Sequence, residues 1–234
     1  MRLLFAKEIK MSKIEKLILD RGFAYVKPYF YKNQWALRCE LGIGNNEDFD
    51  ISAKKRANEI YNILFPNGAD AVIFNYWIND YLQDGDAELD GYGEDDVRDH
   101  IESIIEYEAE QLRFLLDHQA KYRHVCLRRL AVYEEYDCED DAENGFSGRD
   151  RIVCYSDGKG FDYEDYIDRQ LDERRGHEIS FVSFENECIL SIYDSRGCDI
   201  VFATPEKMKI FYNILEPYFL DYDREEMRKR YERI

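Results

Sequence analysis

The stretch YDSRGCD, Tyr193 to Asp199, crowds two acids, a hydroxyl and an arginine into the polar break between two apolar runs. Further on, LDYDREE brings Asp221, Tyr222, Asp223 and Arg224 together. These residue types support two chemistries. Carboxylates at close range can split their pKa values, so Asp194, Asp221 and Asp223 are the candidate general acids and bases, or metal ligands, of an enzyme. A guanidinium fork and a carboxylate also make charge-assisted bidentate bonds. Arg196 with Asp221 or Asp223, or Arg224 with Asp194, can therefore tie the turn to the final helix. The candidate binding residues are Tyr193, Asp194, Arg196, Asp221, Asp223 and Arg224. Gly197 reads as structural, supplying the positive φ of a tight hairpin, with Asp194 bonding forward as an Asx-turn.

No further motif adds a nucleophile, a phosphate loop or a metal triad. GxGxxG, GxxxxGK[ST] and HExxH are absent, and GFSG at Gly145 to Gly148 lacks both the spacing and the leading apolar strand of a nucleophile elbow. The four histidines, His100, His118, His124 and His177, stand apart, with none at metal-ligand spacing, and read as surface or core residues. Asp86, Glu88, Asp90, Gly91 and Glu94 mimic part of a calcium loop, but Val97 occupies the position of the bidentate carboxylate. No cofactor and no metal are expected.

The charge narrows the partners. Net charge is −18, from 32 basic and 50 acidic residues. Residues 84–96 hold seven acids and no base, and residues 134–143 hold seven more, so the remaining chain stands at −18 + 14 = −4. Such segments repel phosphate and anionic lipid, which argues against nucleic acid and membrane surfaces. They read first as solvated loops and second as devices that steer a basic protein. Five of the six cysteines lie in or beside strand-like runs, Cys138 alone falls in an acidic loop, and no CxxC occurs. The opening MRLLFAKEIKMSK is too short in apolar residues for a signal peptide, and no apolar run has membrane length. A cytoplasmic protein with reduced thiols is expected.

The elements that must position the candidate residues follow from periodicity. Ser12 caps a short helix with Ile14, Leu17 and Ile18 at helical spacing. QWALRCELG alternates like a half-buried strand, Arg38 and Glu40 falling on its polar face. A helix capped by Ser52 runs to Pro66-Asn67-Gly68, and DAVIFNYWI fits a central strand. The longest helix spans about Asp95 to His118, with Ile101, Ile105, Leu112, Leu115 and Leu116 among its apolar positions. Arg123 to Tyr136 reads as a long strand and Cys138 to Arg149 as a mobile excursion. Asp162 caps another helix. EISFVSF, ECILSIY and CDIVFA read as an antiparallel meander, Thr204-Pro205 opens a helix, and Asp223 with Glu226 has the spacing of a capping box at the last one. The chain reads as one α+β domain, residues 1–234, built on a mainly antiparallel sheet with helices packed on it; residues 1–27 are a candidate helical appendage.

The pair YDSRGCD and LDYDREE, together with RCELG at Arg38 to Gly42 and RRL at Arg128 to Leu130, resembles a bacterial family of unknown function with a C-terminal signature YDDRG followed by DYDRE. Ser195 stands where that signature has its second Asp. The resemblance implies a preserved architecture and brings no activity, cofactor or catalytic residue. Acidic charge, abundant Tyr and the lack of cofactor motifs suit a protein that masks a basic partner, as an immunity protein masks a toxin. The enzyme built on Asp194, Asp221 and Asp223 is the alternative.

Overall fold

The computed structural model describes residues 12–25, 28–45, 47–79, 94–122, 127–129, 149–172 and 178–233. The fold is α+β. Seven strands, β1 (Ala36–Glu40), β2 (Ala71–Asn79), β3 (Leu127–Arg129), β4 (Arg149–Asp157), β5 (Glu178–Ser183), β6 (Cys188–Asp194) and β7 (Gly197–Phe202), form one sheet. Its order is β1-β7-β6-β5-β2-β4-β3, and every pair is antiparallel. The expected meander is β5-β6-β7, and DAVIFNYWI is indeed central, flanked by β5 and β4. Strand β4 is foreshadowed in the sequence only by the strand-like run around Cys154.

Helices cover both faces. Ser180 and Phe181 are adjacent in β5 and so point to opposite faces. Ser180 Oγ accepts from the Tyr25 hydroxyl at 3.1 Å, which places the segment linking α1 (Lys13–Arg21) and α2 (Tyr29–Lys32) on one face. The Phe181 ring meets Tyr61 of α3 (Glu47–Leu64) edge-on at 5.0 Å on the other, where Tyr163 of α5 (Tyr163–Leu171) stacks on Tyr61 at 4.0 Å. Helix α4 (Glu94–Lys121) packs Phe114 against Phe74 of β2 on that same face.

Local signals explain most helix ends. Ser12 and Glu15 form a reciprocal capping box on α1, and Gly22 closes it at φ 68°. Asp162 caps α5, and Thr204 caps α6 (Pro205–Leu215) with Pro205 in its first turn, as expected. Two expected caps fail. Helix α3 starts at Glu47, so Ser52 lies inside it and bonds Ile43 at both N–H and carbonyl instead. Asp223 precedes α7 (Arg224–Glu232) without capping it, because its carboxylate is turned to other partners and Glu226 accepts from Arg230.

The half-buried reading of QWALRCELG also gives way. Leu37, Cys39 and Leu41 are buried, but so is Ala36 on the opposite face, since α2 lies across it. The outer edge of β1 is closed as well: the Leu220 N–H donates to Arg38 O at 3.2 Å, and the Arg38 N–H meets Met227 Sδ at 3.2 Å. An edge strand protected in this way offers no template for another chain. Cys39, Cys188 and Cys198 are fully buried free thiols, packing as small hydrophobes. No helix among the described residues is long and apolar enough to cross a membrane. Residues 134–143, all of residues 84–93, GFSG, Cys126 and Cys138 lie outside the described residues, as does the reading of Arg123–Tyr136 apart from β3.

Candidate functional site

Arg38 of β1 stands directly opposite Asp199 of β7. Backbone bonds from the Phe202 N–H to Trp35 O and from the Leu41 N–H to Arg196 O mark the odd-numbered β1 positions as the hydrogen-bonded pairs. Arg38 and Asp199 therefore form a narrow, non-hydrogen-bonded pair, whose side chains lie closest. Arg38 Nε donates to Asp199 Oδ1 at 2.7 Å and Nη2 to Oδ2 at 3.1 Å, the parallel fork of a bidentate pair. The Phe30 N–H donates to the same Oδ2 at 3.0 Å.

The third guanidinium nitrogen reaches the end of the chain. Arg38 Nη1 lies 3.4 Å from Asp223 Oδ2, and Asp223 Oδ1 accepts from the Tyr31 hydroxyl at 3.0 Å. All three charged side chains are withdrawn from water, 13% exposed for Arg38, 3% for Asp199 and 5% for Asp223. Rings of Phe30, Tyr31 and Tyr193 lie 5.0, 4.8 and 5.7 Å from the guanidinium carbon. Burial works against the Arg38 charge, but hydrogen bonds to Asp199 and the charges of Asp199, Tyr193 and Asp223 outweigh it and hold its pKa above the ordinary value. Burial, then the bond to Asp223, raises Tyr31, with neighbouring Tyr222 adding to it.

A second arginine locks the same aromatic segment. Arg230 of α7 is buried, lies 4.2 Å from the Phe30 centroid, and donates through Nη1 to Phe30 O at 2.9 Å and Asn33 O at 3.0 Å. Phe30 thus contacts one guanidinium from the first strand and another from the last helix. Helix α2 is too short to hold itself together; these contacts fix it.

The hairpin is built differently from the sequence expectation. Gly197 does not have positive φ. A Cβ there would sit 2.1 Å from the Tyr193 hydroxyl oxygen and 2.7 Å from Cys39 O, so the residue is glycine because a ring and a backbone carbonyl fill the space. Register shifts by one between Ile192 and Asp194, leaving Tyr193 as an extra residue on β6. Such a bulge re-aims the side chain at that position, here placing the Tyr193 ring near both Gly197 and Arg38.

The predicted carboxylates are brought to the same end of the molecule but to different arginines. Asp194 makes the expected Asx-turn, accepting the Arg196 N–H at 2.7 Å, and pairs with the Arg196 side chain. Arg196 therefore closes its own turn and makes no bond to Asp221 or Asp223. Arg224 pairs with Asp221 at 3.0 Å rather than with Asp194. Only Asp223 crosses to another element, and its partner is Arg38. Among the described residues, no three His, Cys, Asp or Glu side chains are grouped to hold a metal.

Arg38, Asp199, Phe30, Tyr31 and Arg230 were not among the predicted site residues. Two of them had a signal: Arg38 interrupts an apolar strand pattern, and Asp199 sits as a charge inside the run CDIVF. A charge in each of two neighbouring β-runs is a candidate cross-strand pair. Nothing in the spacing marks Arg230.

No curated protein and no solved structure matches the chain. A family model, described as Domain of unknown function (DUF3885), matches residues 16–223. That span takes in Arg38, Asp199 and Asp223 together with nearly every element described above, and the chain belongs to this family.

Proposed function

We propose that this chain is a binding protein that masks a basic protein partner, in the manner of an immunity protein, through the surface around LDYDRE. The observation that carries this reading is the division of labour inside that motif. Asp223 is buried on Arg38, whereas its neighbour Tyr222 is 86% exposed and Asp221 stands out in water beside it. The locked carboxylate fixes the backbone, and an aromatic face and a second carboxylate are presented outward. Tyr31, half-exposed and bonded to Asp223, extends the patch.

An exposed tyrosine beside a carboxylate suits a lysine or arginine, which it meets by cation–π attraction and an ion pair. Tyrosine adds contact area at small conformational cost. The net charge of −18 favours the encounter with a basic protein at low salt. Co-expression with a basic, toxin-like protein encoded by an adjacent gene tests the reading. A salt-sensitive complex that protects the host, and that Tyr222→Ala with Asp221→Lys abolishes while the fold persists, is expected. Failure to bind or protect counts against it.

A further inference from the structure

Helix α4 has two unlike faces. Gln111, Phe114, Leu115 and His118 are buried, Phe114 and His118 against Phe74 of β2 and Tyr166 of α5. Ile105, Ala109, Leu112 and Leu116 are exposed, Leu116 to 62%. The sequence period treats Leu112, Leu115 and Leu116 alike, yet only Leu115 enters the core. The exposed set recurs at intervals of four, three and four, the d-a-d-a seam of a two-heptad coiled coil. Contiguous apolar residues of this kind on a helix face mark a contact surface.

The flanking residues identify the occupant. Directly beside the seam, Glu106 and Arg113 both occupy e positions, both are exposed, and neither is ion-paired among the described residues. In an antiparallel pair, a positions face d positions and e faces e. A second copy laid antiparallel sets Ile105 over Leu116 and Ala109 over Leu112 of the other helix, so that small meets large. The same register brings Glu106 of each copy to Arg113 of the other, twice by symmetry. A parallel pair would instead stack Ala109 on Ala109 and leave a gap in the seam. The helix dipoles also oppose each other favourably in the antiparallel arrangement.

We propose that Ile105, Ala109, Leu112 and Leu116 of α4 form an antiparallel, two-fold seam through which two copies of this chain pair. Contacts of this kind are isologous and close at two subunits. This surface is separate from LDYDRE, so pairing and partner binding are independently testable.

Sedimentation equilibrium on the full chain, from low to high micromolar concentration, tests it. A concentration-dependent dimer is expected. Leu112→Asp and Leu116→Asp should each weaken it by about a hundredfold or more without changing the far-ultraviolet circular dichroism. Glu106→Arg should weaken it by about tenfold, and adding Arg113→Glu in the same chain should restore it. A chain monomeric throughout overturns the proposal, as does a dimer indifferent to the leucine changes. A monomer in which Leu112→Asp instead abolishes binding of a basic protein would assign the face to that partner and overturn it too. Absence of charge-swap rescue overturns the antiparallel register.

Discussion

Arg38 donates two parallel hydrogen bonds to Asp199 across the β1–β7 pair, at 2.7 and 3.1 Å, inside a protein interior that excludes water from both. A buried ion pair is weak evidence for net stability, but removing one partner strands the other. Asp199→Ala should therefore destabilise the protein by about 3–5 kcal/mol, and Arg38→Met with Asp199→Leu together should recover only part of that, because Asp223 loses its guanidinium and the Phe30 N–H its acceptor. Urea unfolding of the two variants beside the unaltered protein checks both statements.

Gly197 separates two explanations of one glycine. Were a left-handed backbone the reason, Asn would be tolerated there. Because the Tyr193 hydroxyl and Cys39 O occupy the Cβ position, Gly197→Asn and Gly197→Ala should both cost about 1–3 kcal/mol or more by overpacking. Combining Gly197→Ala with Tyr193→Ala should relieve only part of this, since the carbonyl remains. Denaturant midpoints of the variants provide the comparison.

The two aspartates of LDYDRE should respond unequally to the same substitution. Asp221→Ala and Arg196→Ala break exposed pairs and should change stability by no more than about 1 kcal/mol. Asp223→Ala leaves the buried Arg38 Nη1 and the Tyr31 hydroxyl short of an acceptor and should cost several times as much. Equal losses at Asp221 and Asp223 in thermal melts would contradict the assignment of roles.

His118 should make the folded protein less stable in acid. Its Nδ1 is bonded to the Tyr166 hydroxyl, Nε2 is buried without a partner, and Phe74, Tyr122 and Phe161 pack around the ring. Burial, then the charge of Lys121, lowers its pKa from 6.5 to about 4. The unfolded chain thus binds the proton more tightly than the folded one. Stability from this group is complete above about pH 6.5 and falls as pH drops toward about 4, by about 3 kcal/mol in all. His118→Phe should flatten the pH dependence in that window while lowering stability at neutral pH by about 1–2 kcal/mol, through the lost Tyr166 bond. Urea unfolding at a series of pH values measures both.

The meander, the long helix, the central strand and most caps were legible because each rests on local periodicity or a single capping residue. The candidate site was legible only in part. YDSRGCD and LDYDREE lie at the same end of the molecule, and the Asx-turn at Asp194 is local and came out as expected. The arginine partners were misassigned because Arg38 lies far from Asp223 in sequence, and only the β1–β7 register brings it there. The caps at Ser52 and Asp223 failed for a related reason: a side chain that fits a local cap bonds elsewhere when a tertiary partner is present, Ile43 in one case and Arg38 in the other. The exposed stripe of α4 was hidden because periodicity marks apolar positions without saying which of two adjacent faces meets the sheet.

Arg38 ties the first strand to the entry of the last helix. A double-mutant cycle between Arg38→Met and Asp223→Ala, read by urea unfolding, tests it most directly. A coupling of about 1–3 kcal/mol is predicted, with the double variant less destabilised than the sum of the two single ones. Strict additivity would mean that Arg38 and Asp223 do not act on each other and would contradict the lock.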